Sequence, residues 1–299
     1  MGPPVCARRA GPPLPRTHLA FAKSDLGEKS LVPRIGLLRC VFTMAGVARR
    51  RVTDRRGRTV MSDAWERFLA KMKSEGQSSA VAWSETYRLG DHSLWDHSSP
   101  STEMIAYILG ARLPARARVL DLGCGTGADA IFLAEQNYEA HGLDFSAHAL
   151  LLAEQRAHDR GVVVDWHECS ALKTPFDDGY FDLITDRGCF HHISWRPRRQ
   201  YAEEIARILR PGGVLFLRGS READGPFFPV DRVSLSESFD PQRFEIGPDI
   251  PFFYAVDTGG IGATAVTIVR RDLNMVRGKR TFVPETADEA GPPLARGGE

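Results

Sequence analysis

Cysteine is scarce in this 299-residue chain, and the five present (Cys6, Cys40, Cys124, Cys169 and Cys189) are odd in number and make no C-x-x-C pair. That argues against a disulfide framework and against a zinc site, so no metal is expected; it suits a reducing cytoplasm. Long apolar runs are also missing. A membrane span needs roughly 18–20 residues, and the nearest run, Ile35 to Ala48, is short and broken by Arg39. Acids are scarce in one region only. Residues 1–60 hold 13 Lys+Arg against 3 Asp+Glu (Asp25, Glu28 and Asp54), a local net of +10, which leaves 26 basic and 35 acidic residues, a net of −9, for the remainder. So acidic a body is a poor partner for nucleic acid phosphates, and no stripe of aromatic and basic residues argues for one. No membrane partner is expected either.

What is there is an ordinary globular supply, 42% hydrophobic and 26% charged, enough for a sizeable core. Residues 1–60 combine six prolines with arginine-rich patches (Arg49-Arg50-Arg51, Arg55-Arg56) and show no sustained apolar period. They read as a disordered extension or as sequence upstream of a true start at Met44 or Met61. A targeting segment is the less favoured reading. From Ser62 the pattern changes: Trp65, Phe68, Leu69 and Met72 recur at helical spacing. A loop from Gly90 to Pro100 leads into a second helix at about Thr102–Leu109. Short apolar runs then alternate with helical ones. Strands are expected at Arg118–Gly123, Tyr138–Asp144, Val162–Glu168, Phe181–Asp186 and Val214–Gly219, and helices at about Ala128–Gln136, Ala147–Arg160 and Arg199–Leu209. Such alternation implies an α/β fold, a mainly parallel twisted sheet with helices on both faces. Thr264–Arg270 reads as a last strand with no clear crossover helix before it, which suggests an antiparallel edge. The folded unit is expected over 61–272, followed by a mostly disordered tail at 273–299.

The strongest chemical signal is Val119-Leu-Asp-Leu-Gly-Cys-Gly-Thr-Gly127, an apolar strand ending in a glycine-rich turn that opens a helix. Gly123, Gly125 and Gly127 let backbone turn sharply and approach a ligand. The spacing is G-x-G-x-G, and Asp121 precedes the first glycine by two residues. A carboxylate there would repel a dinucleotide pyrophosphate but suits the ammonium of a methionine moiety. That disfavours a nicotinamide-dependent oxidoreductase and favours S-adenosylmethionine as cofactor. Asp144 ends the next strand about 20 residues on, placed to accept hydrogen bonds from both ribose hydroxyls. Helix capping is its alternative role, one that Ser146 can fill instead.

With these residues in view, the chain resembles the class I S-adenosylmethionine-dependent methyltransferases over about Trp95 to Arg271, VLDLGCGTG matching that family's first motif. The resemblance implies a Rossmann-like methyltransferase fold. Cys169-Ser-Ala-Leu-Lys-Thr-Pro-Phe176 is similar to the segment that meets the adenine, with Ser170 in place of the usual acid and Ala171 offering its N–H. Phe181-Asp-Leu-Ile-Thr-Asp-Arg-Gly-Cys-Phe-His-His-Ile193 matches the fourth-strand motif, which puts Asp186 or Arg187 beside the cofactor. Within the superfamily the chain resembles bacterial small-molecule enzymes of the thiopurine and tellurite-resistance kind. In those enzymes a segment similar to Leu94-Trp-Asp-His-Ser-Ser-Pro100 covers the cofactor, which implies a contact from Trp95.

His191 and His192 are the candidate catalytic residues, histidine being the side chain best poised for proton transfer near neutral pH. Loop shaping is the competing role, expected for at least one of the pair. Cys189 reads as a small core residue rather than a nucleophile. The expected reaction is in-line methyl transfer to a small-molecule acceptor (thiol, amine or hydroxyl). Trp83, Tyr87, Trp95, Phe227, Phe228, Phe252, Phe253 and Tyr254 are the expected wall of its pocket, or plain core. The alternative is a cofactor-binding scaffold or partner subunit without turnover.

Overall fold

The computed structural model describes residues 7–9, 63–75, 79–111, 113–222, 227–256 and 259–272. Its centre is one sheet in which β2 (Arg118–Leu122), β3 (Glu139–Asp144), β4 (Asp165–Glu168), β5 (Phe181–Arg187) and β6 (Leu209–Ser220) run parallel in the order β4-β3-β2-β5-β6. Each inner strand is almost wholly buried, as strands covered on both faces must be. The order reverses between β2 and β5, so a crevice opens beyond their carboxyl ends.

Three antiparallel strands finish one side. β9 (Gly259–Arg270) pairs with β6, and β7 (Phe244–Ile246) and β8 (Ile250–Val256) both pair with β9. The antiparallel edge read from Thr264–Arg270 is therefore present, and longer than expected. At the opposite edge a three-residue strand, β1 (Ala7–Arg9), lies antiparallel to β4. It is the only part of residues 1–60 among the described residues, so the disordered-extension reading otherwise lies outside them, as does the tail at 273–299.

Helices form where caps and apolar spacing agree. α1 spans Asp63–Glu75. α2 (Ala80–Leu89) starts at Ser79, whose side chain accepts the Ala82 N–H, and stops at Gly90 in the left-handed region, φ 80. α3 (Thr102–Gly110), α4 (Ala128–Glu135) and α5 (Ala147–Asp159) follow. α6 (Trp195–Ile208) begins four residues earlier than the sequence pattern suggests, because Pro197 falls in its first turn, where no amide is needed. α7 (Arg232–Ser238), closed by a capping box between Asp231 and Ser234, lies in a stretch read only as aromatic and proline-rich. No helix among the described residues is long and apolar enough to cross a membrane.

Two apolar clusters pack the sheet faces: one around Leu120, Phe181, Tyr201 and Leu217, the other around Val119, Leu133, Leu150 and Trp166. A third, built on Phe68, Met72, Trp83, Tyr87 and Leu94 from α1, α2 and the following turn, forms a cap over the crevice. One cysteine expectation is corrected. Cys169 is disulfide-bonded, whereas Cys124 and Cys189 are free thiols. Spacing along a chain does not reveal which distant thiols meet.

Candidate functional site

Beneath the cap and beyond the ends of β2, β3 and β5 lies a cavity of about 460 Å³. Its floor is the glycine turn. Gly123 and Gly125 adopt φ 71 and 53. A Cβ at Gly125 would lie 2.6 Å from the Tyr87 hydroxyl oxygen, and one at Gly123 would lie 2.5 Å from Cys189 Cβ. Both positions thus exclude side chains. The Gly123 and Cys124 N–H groups donate to the Leu143 carbonyl at 2.7 and 3.0 Å, tying the turn to β3.

Asp144, at the end of β3, stands against that turn. Its Oδ2 accepts the Gly125 N–H at 2.9 Å and its Oδ1 the Ser146 N–H at 2.8 Å. Ser146 caps α5 through the Ala149 N–H, so the capping role falls to the serine and the carboxylate remains on the cavity wall. Burial pushes the Asp144 carboxyl up to about 6 despite the Ser146, Gly125 and Phe145 amides, which act in the opposite direction. A carboxylate offers about four acceptor positions, so the amides do not exhaust them.

A group of buried charges lies behind the turn. Asp121 accepts the Ala130 N–H at 3.1 Å; burial and then the neighbouring Asp129 push its carboxyl upward. Burial acts in the same direction on Asp129, but Arg187 and Arg218 outweigh it and hold Asp129 below the ordinary value. Arg218 is fully buried, 2.8 Å from Asp129, and donates to the Ser101 and Thr185 hydroxyls. Arg187 is 3.7 Å from Asp129 with its side chain 26% exposed. It lines the cavity, leaving a cation on that wall.

The cap is fastened to the glycine turn by Asp96, which accepts from the Thr126 hydroxyl at 2.8 Å and pairs with Arg156 at 2.8 Å. This places Trp95 in the wall, 5.1 Å from Phe68 and 5.8 Å from Trp83 between ring centres. Asp96, Thr126 and Asp129 were not singled out from the sequence. Two signals were present: the Trp95-Asp96 pair in the cap segment, and Asp129, an acid in the first turn after the glycine loop, which reads as a partner of the helix dipole.

Of the residues expected at the site, Asp121, Gly123, Gly125, Asp144, Ser170, Ala171, Trp95, His191 and His192 all line the cavity. Two do not. Gly127, at φ 79, starts α4; a Cβ there would meet Trp166 at 2.6 Å and Ala153 at 3.0 Å, so this glycine serves packing of helix and strand. Asp186 is fully buried and accepts from the Cys189 and Phe190 amides and the Tyr201 hydroxyl at 2.9, 3.0 and 2.8 Å. Burial pushes its carboxyl up to about 6. It shapes the loop, and Arg187 is the strand-end residue that faces the cavity. Ser170 spends its oxygen partly on its own loop, accepting the Leu172 N–H at 3.2 Å.

The two histidines differ. His191 Nδ1 accepts the Ser220 N–H at 2.9 Å, and burial pushes the ring well below its ordinary value. A neutral ring that accepts at Nδ1 carries its proton on Nε2 and has no lone pair there to take another. His192 packs edge-on against Trp83, ring centres 4.8 Å apart, with Phe227 at 5.4 Å. Burial raises the Cys189 thiol, so it stays protonated and is no nucleophile.

Residues 119–213 match the sequence profile of a methyltransferase domain family. The chain is 38% identical over 152 residues to demethylmenaquinone methyltransferase of Thermus thermophilus, covering 50% of this chain and 63% of that one. It is 31% identical over 150 residues to 2-heptyl-1-hydroxyquinolin-4(1H)-one methyltransferase of Mycobacteroides abscessus, covering 48% and 65%. The chain thus spans just under two thirds of these relatives' lengths. Among solved structures, 1,6-didemethyltoxoflavin-N1-methyltransferase of Burkholderia thailandensis, with bound 1,6-didemethyltoxoflavin and S-adenosylhomocysteine, superposes with a TM-score of 0.53. That match has 21% identity over 72% of this chain and 93% of the other; the likeness is one of fold.

Proposed function

We propose that this chain is a class I S-adenosylmethionine-dependent methyltransferase that methylates a small, flat aromatic acceptor, a reading supported by the methyltransferase-domain profile over residues 119–213. The observation that carries the reading is a single cavity with two unlike walls. One wall holds the side-chain-free turn at Gly123 and Gly125 with Asp144 and Asp121; the other holds Trp83, His192, Phe227, Phe252 and Tyr254 with Arg187. The first wall fits the cofactor by its donor and acceptor set. Asp144 has acceptor positions left for ribose hydroxyls, Asp121 suits an ammonium, Ser170 and Ala171 suit an adenine edge, and Trp95 covers the cradle. S-adenosylmethionine supplies a methyl group on a positively charged sulfur that is already a good leaving group.

The chain's own work is then to hold the acceptor in line and keep water out. The aromatic wall suits a flat ring, which gains from offset or edge contacts, and Arg187 suits an acceptor or cofactor group carrying negative charge. The Mycobacteroides relative is named for a quinolinone, an acceptor of this shape. His192 is the member of the histidine pair better suited to receive a proton.

The test is S-adenosylhomocysteine release from a panel of hydroxyaromatic, thiopurine, thiol and amine acceptors, with calorimetric titration of S-adenosylmethionine alongside. Turnover is expected with at least one flat aromatic acceptor. Tight cofactor binding with no turnover on any acceptor would favour the scaffold reading instead.

A further inference from the structure

On the sheet, outside the cavity, His141 of β3 and Asp165 and His167 of β4 converge. All three candidate ligand atoms lie within 4.8 Å of one another, the one such group of three among the described residues, and none of the three residues lines the cavity. The two parallel strands fix this placement: His141 is the register partner of Asp165, and His167 stands two residues on, on the same face. His141 and His167 are buried at 4% and 7% exposure, while the Asp165 side chain is 37% exposed. The group therefore has a dry interior and an entry from solvent.

The distances suit a small transition ion. His141 Nδ1 lies 3.3 Å from His167 Nε2 and 3.9 Å from Asp165 Oδ2. A tetrahedral ion with bonds of about 2.0–2.1 Å to nitrogen separates its ligands by roughly 3.3–3.4 Å, so the nitrogen pair already spans one edge of such a site. The other ring nitrogen of His141, Nε2, sits 3.7 Å from Glu139 Oε1. That is too long for a hydrogen bond, but the charge of the carboxylate favours the proton on Nε2, which leaves the Nδ1 lone pair facing His167. Phe176, Tyr180 and Phe181 surround His141 at 5.7, 5.6 and 5.3 Å between ring centres, all near perpendicular. They hold the ring in place and keep the surroundings apolar.

We propose that His141, Asp165 and His167 bind one divalent ion of the zinc type, with solvent completing the coordination on the Asp165 side. Two imidazoles and one carboxylate, all offered from rigid strands, form a donor set of the borderline kind that zinc takes. On binding, the proton between the two rings leaves the ligand atom: a neutral His167 carries it on Nδ1 instead, with no net release, and a protonated one gives it to solvent, so each ring coordinates as the neutral base.

The test uses the untagged full chain, stripped with chelator, titrated with zinc chloride by calorimetry and assayed for metal by mass spectrometry after desalting. One equivalent is expected to be retained. His167→Phe, which keeps an aromatic ring in the core, should lose it. Asp165→Asn, at the half-exposed position where folding is least at risk, should weaken zinc affinity by at least the roughly 10-fold that loss of a group merely supporting a ligand costs, with melting temperature unchanged. Zinc should leave S-adenosylmethionine affinity unaltered, because the cavity does not share these residues. The proposal is overturned if the stripped protein retains no zinc, or if Asp165→Asn and a folded His167→Phe bind it as the parent does. The second result would assign retained metal to adventitious surface ligands.

Discussion

The carboxylate of Asp144 accepts the backbone N–H of Gly125 at 2.9 Å, so the residue that closes one strand also fixes the turn leaving its neighbour. A single side chain thereby serves the fold and the ligand. Asp144→Ala removes a buried acceptor from both Gly125 and Ser146, at about 1–3 kcal/mol for each amide left unpaired. It also removes the charge-assisted bonds to a ribose, about 1.5–3 kcal/mol, or roughly tenfold or more in affinity. Calorimetry and a melting curve should both register the change. An unchanged cofactor affinity would leave Asp144 a purely structural residue.

The raised Asp144 carboxyl sets a pH dependence. With the unliganded group titrating at about 6 and the ligand requiring the ionised form, binding above that pH needs no proton release from Asp144. Below it a proton must leave first, so affinity falls as pH drops, by about tenfold per unit until the liganded group itself protonates. Asp144→Asn should remove the Asp144 part of this dependence and leave the part set by Asp121. Asp121, also raised by burial, releases its own proton when it meets an ammonium, which is why the comparison with Asp144→Asn isolates the contribution of Asp144. Titrations across pH 5–8 in buffers of different ionisation heat measure both.

Gly125→Val tests the cradle from the other side. At φ 53 and with 2.6 Å between its would-be Cβ and the Tyr87 hydroxyl oxygen, a branched side chain must displace the cap or strain the turn. Loss of measurable cofactor binding is expected, with a lower melting temperature. Gly125→Val binding like the parent would show that the cap yields freely at Tyr87.

The sequence carried much of this, and the failures have physical causes. The glycine turn, the five parallel strands and Asp144 are legible because alternating apolar runs and left-handed glycines are local requirements. Asp186 and Gly127 lie off the cavity lining, which family position does not reveal, because it says which strand end a residue occupies and not which way its side chain points. Asp186 turns back to the Cys189 and Phe190 amides, and Gly127 faces Trp166. The ties from Asp96 to Thr126 and from Arg218 to Ser101 join residues 30 and 117 positions apart, a separation no local pattern encodes.

Asp186 supplies a separable test. Asp186→Ala strands two amides and the Tyr201 hydroxyl in a buried place, at about 1–3 kcal/mol each, so the melting temperature should drop by many degrees. Cofactor affinity should change only a few-fold, because the side chain does not line the cavity. A large affinity loss at unchanged melting temperature would return Asp186 to the ligand.

The last test divides the histidine pair. His191 accepts the Ser220 N–H through Nδ1 and is held neutral by burial, so its role is to join the loop after β5 to the end of β6. His191→Ala leaves the Ser220 amide unpaired and opens a void among Phe227, Tyr254 and His192, whose rings lie 4.7, 6.2 and 4.5 Å away. The expected cost is about 1–3 kcal/mol for the amide plus the void, read as a lower melting temperature, with turnover reduced by less than 100-fold. His191→Asn, which can still offer an acceptor to Ser220, should recover part of that stability. His192 sits at the cavity wall against Trp83. If it takes the acceptor's proton, His192→Ala should cost about 100-fold or more in rate, with a smaller change in melting temperature and cofactor affinity intact. That rate loss should be largest for acceptors whose attacking group is protonated at the assay pH, and small for those already ionised. Should both variants lose 100-fold in turnover while both keep parental stability and cofactor affinity, the assignment of His191 to loop shaping is wrong.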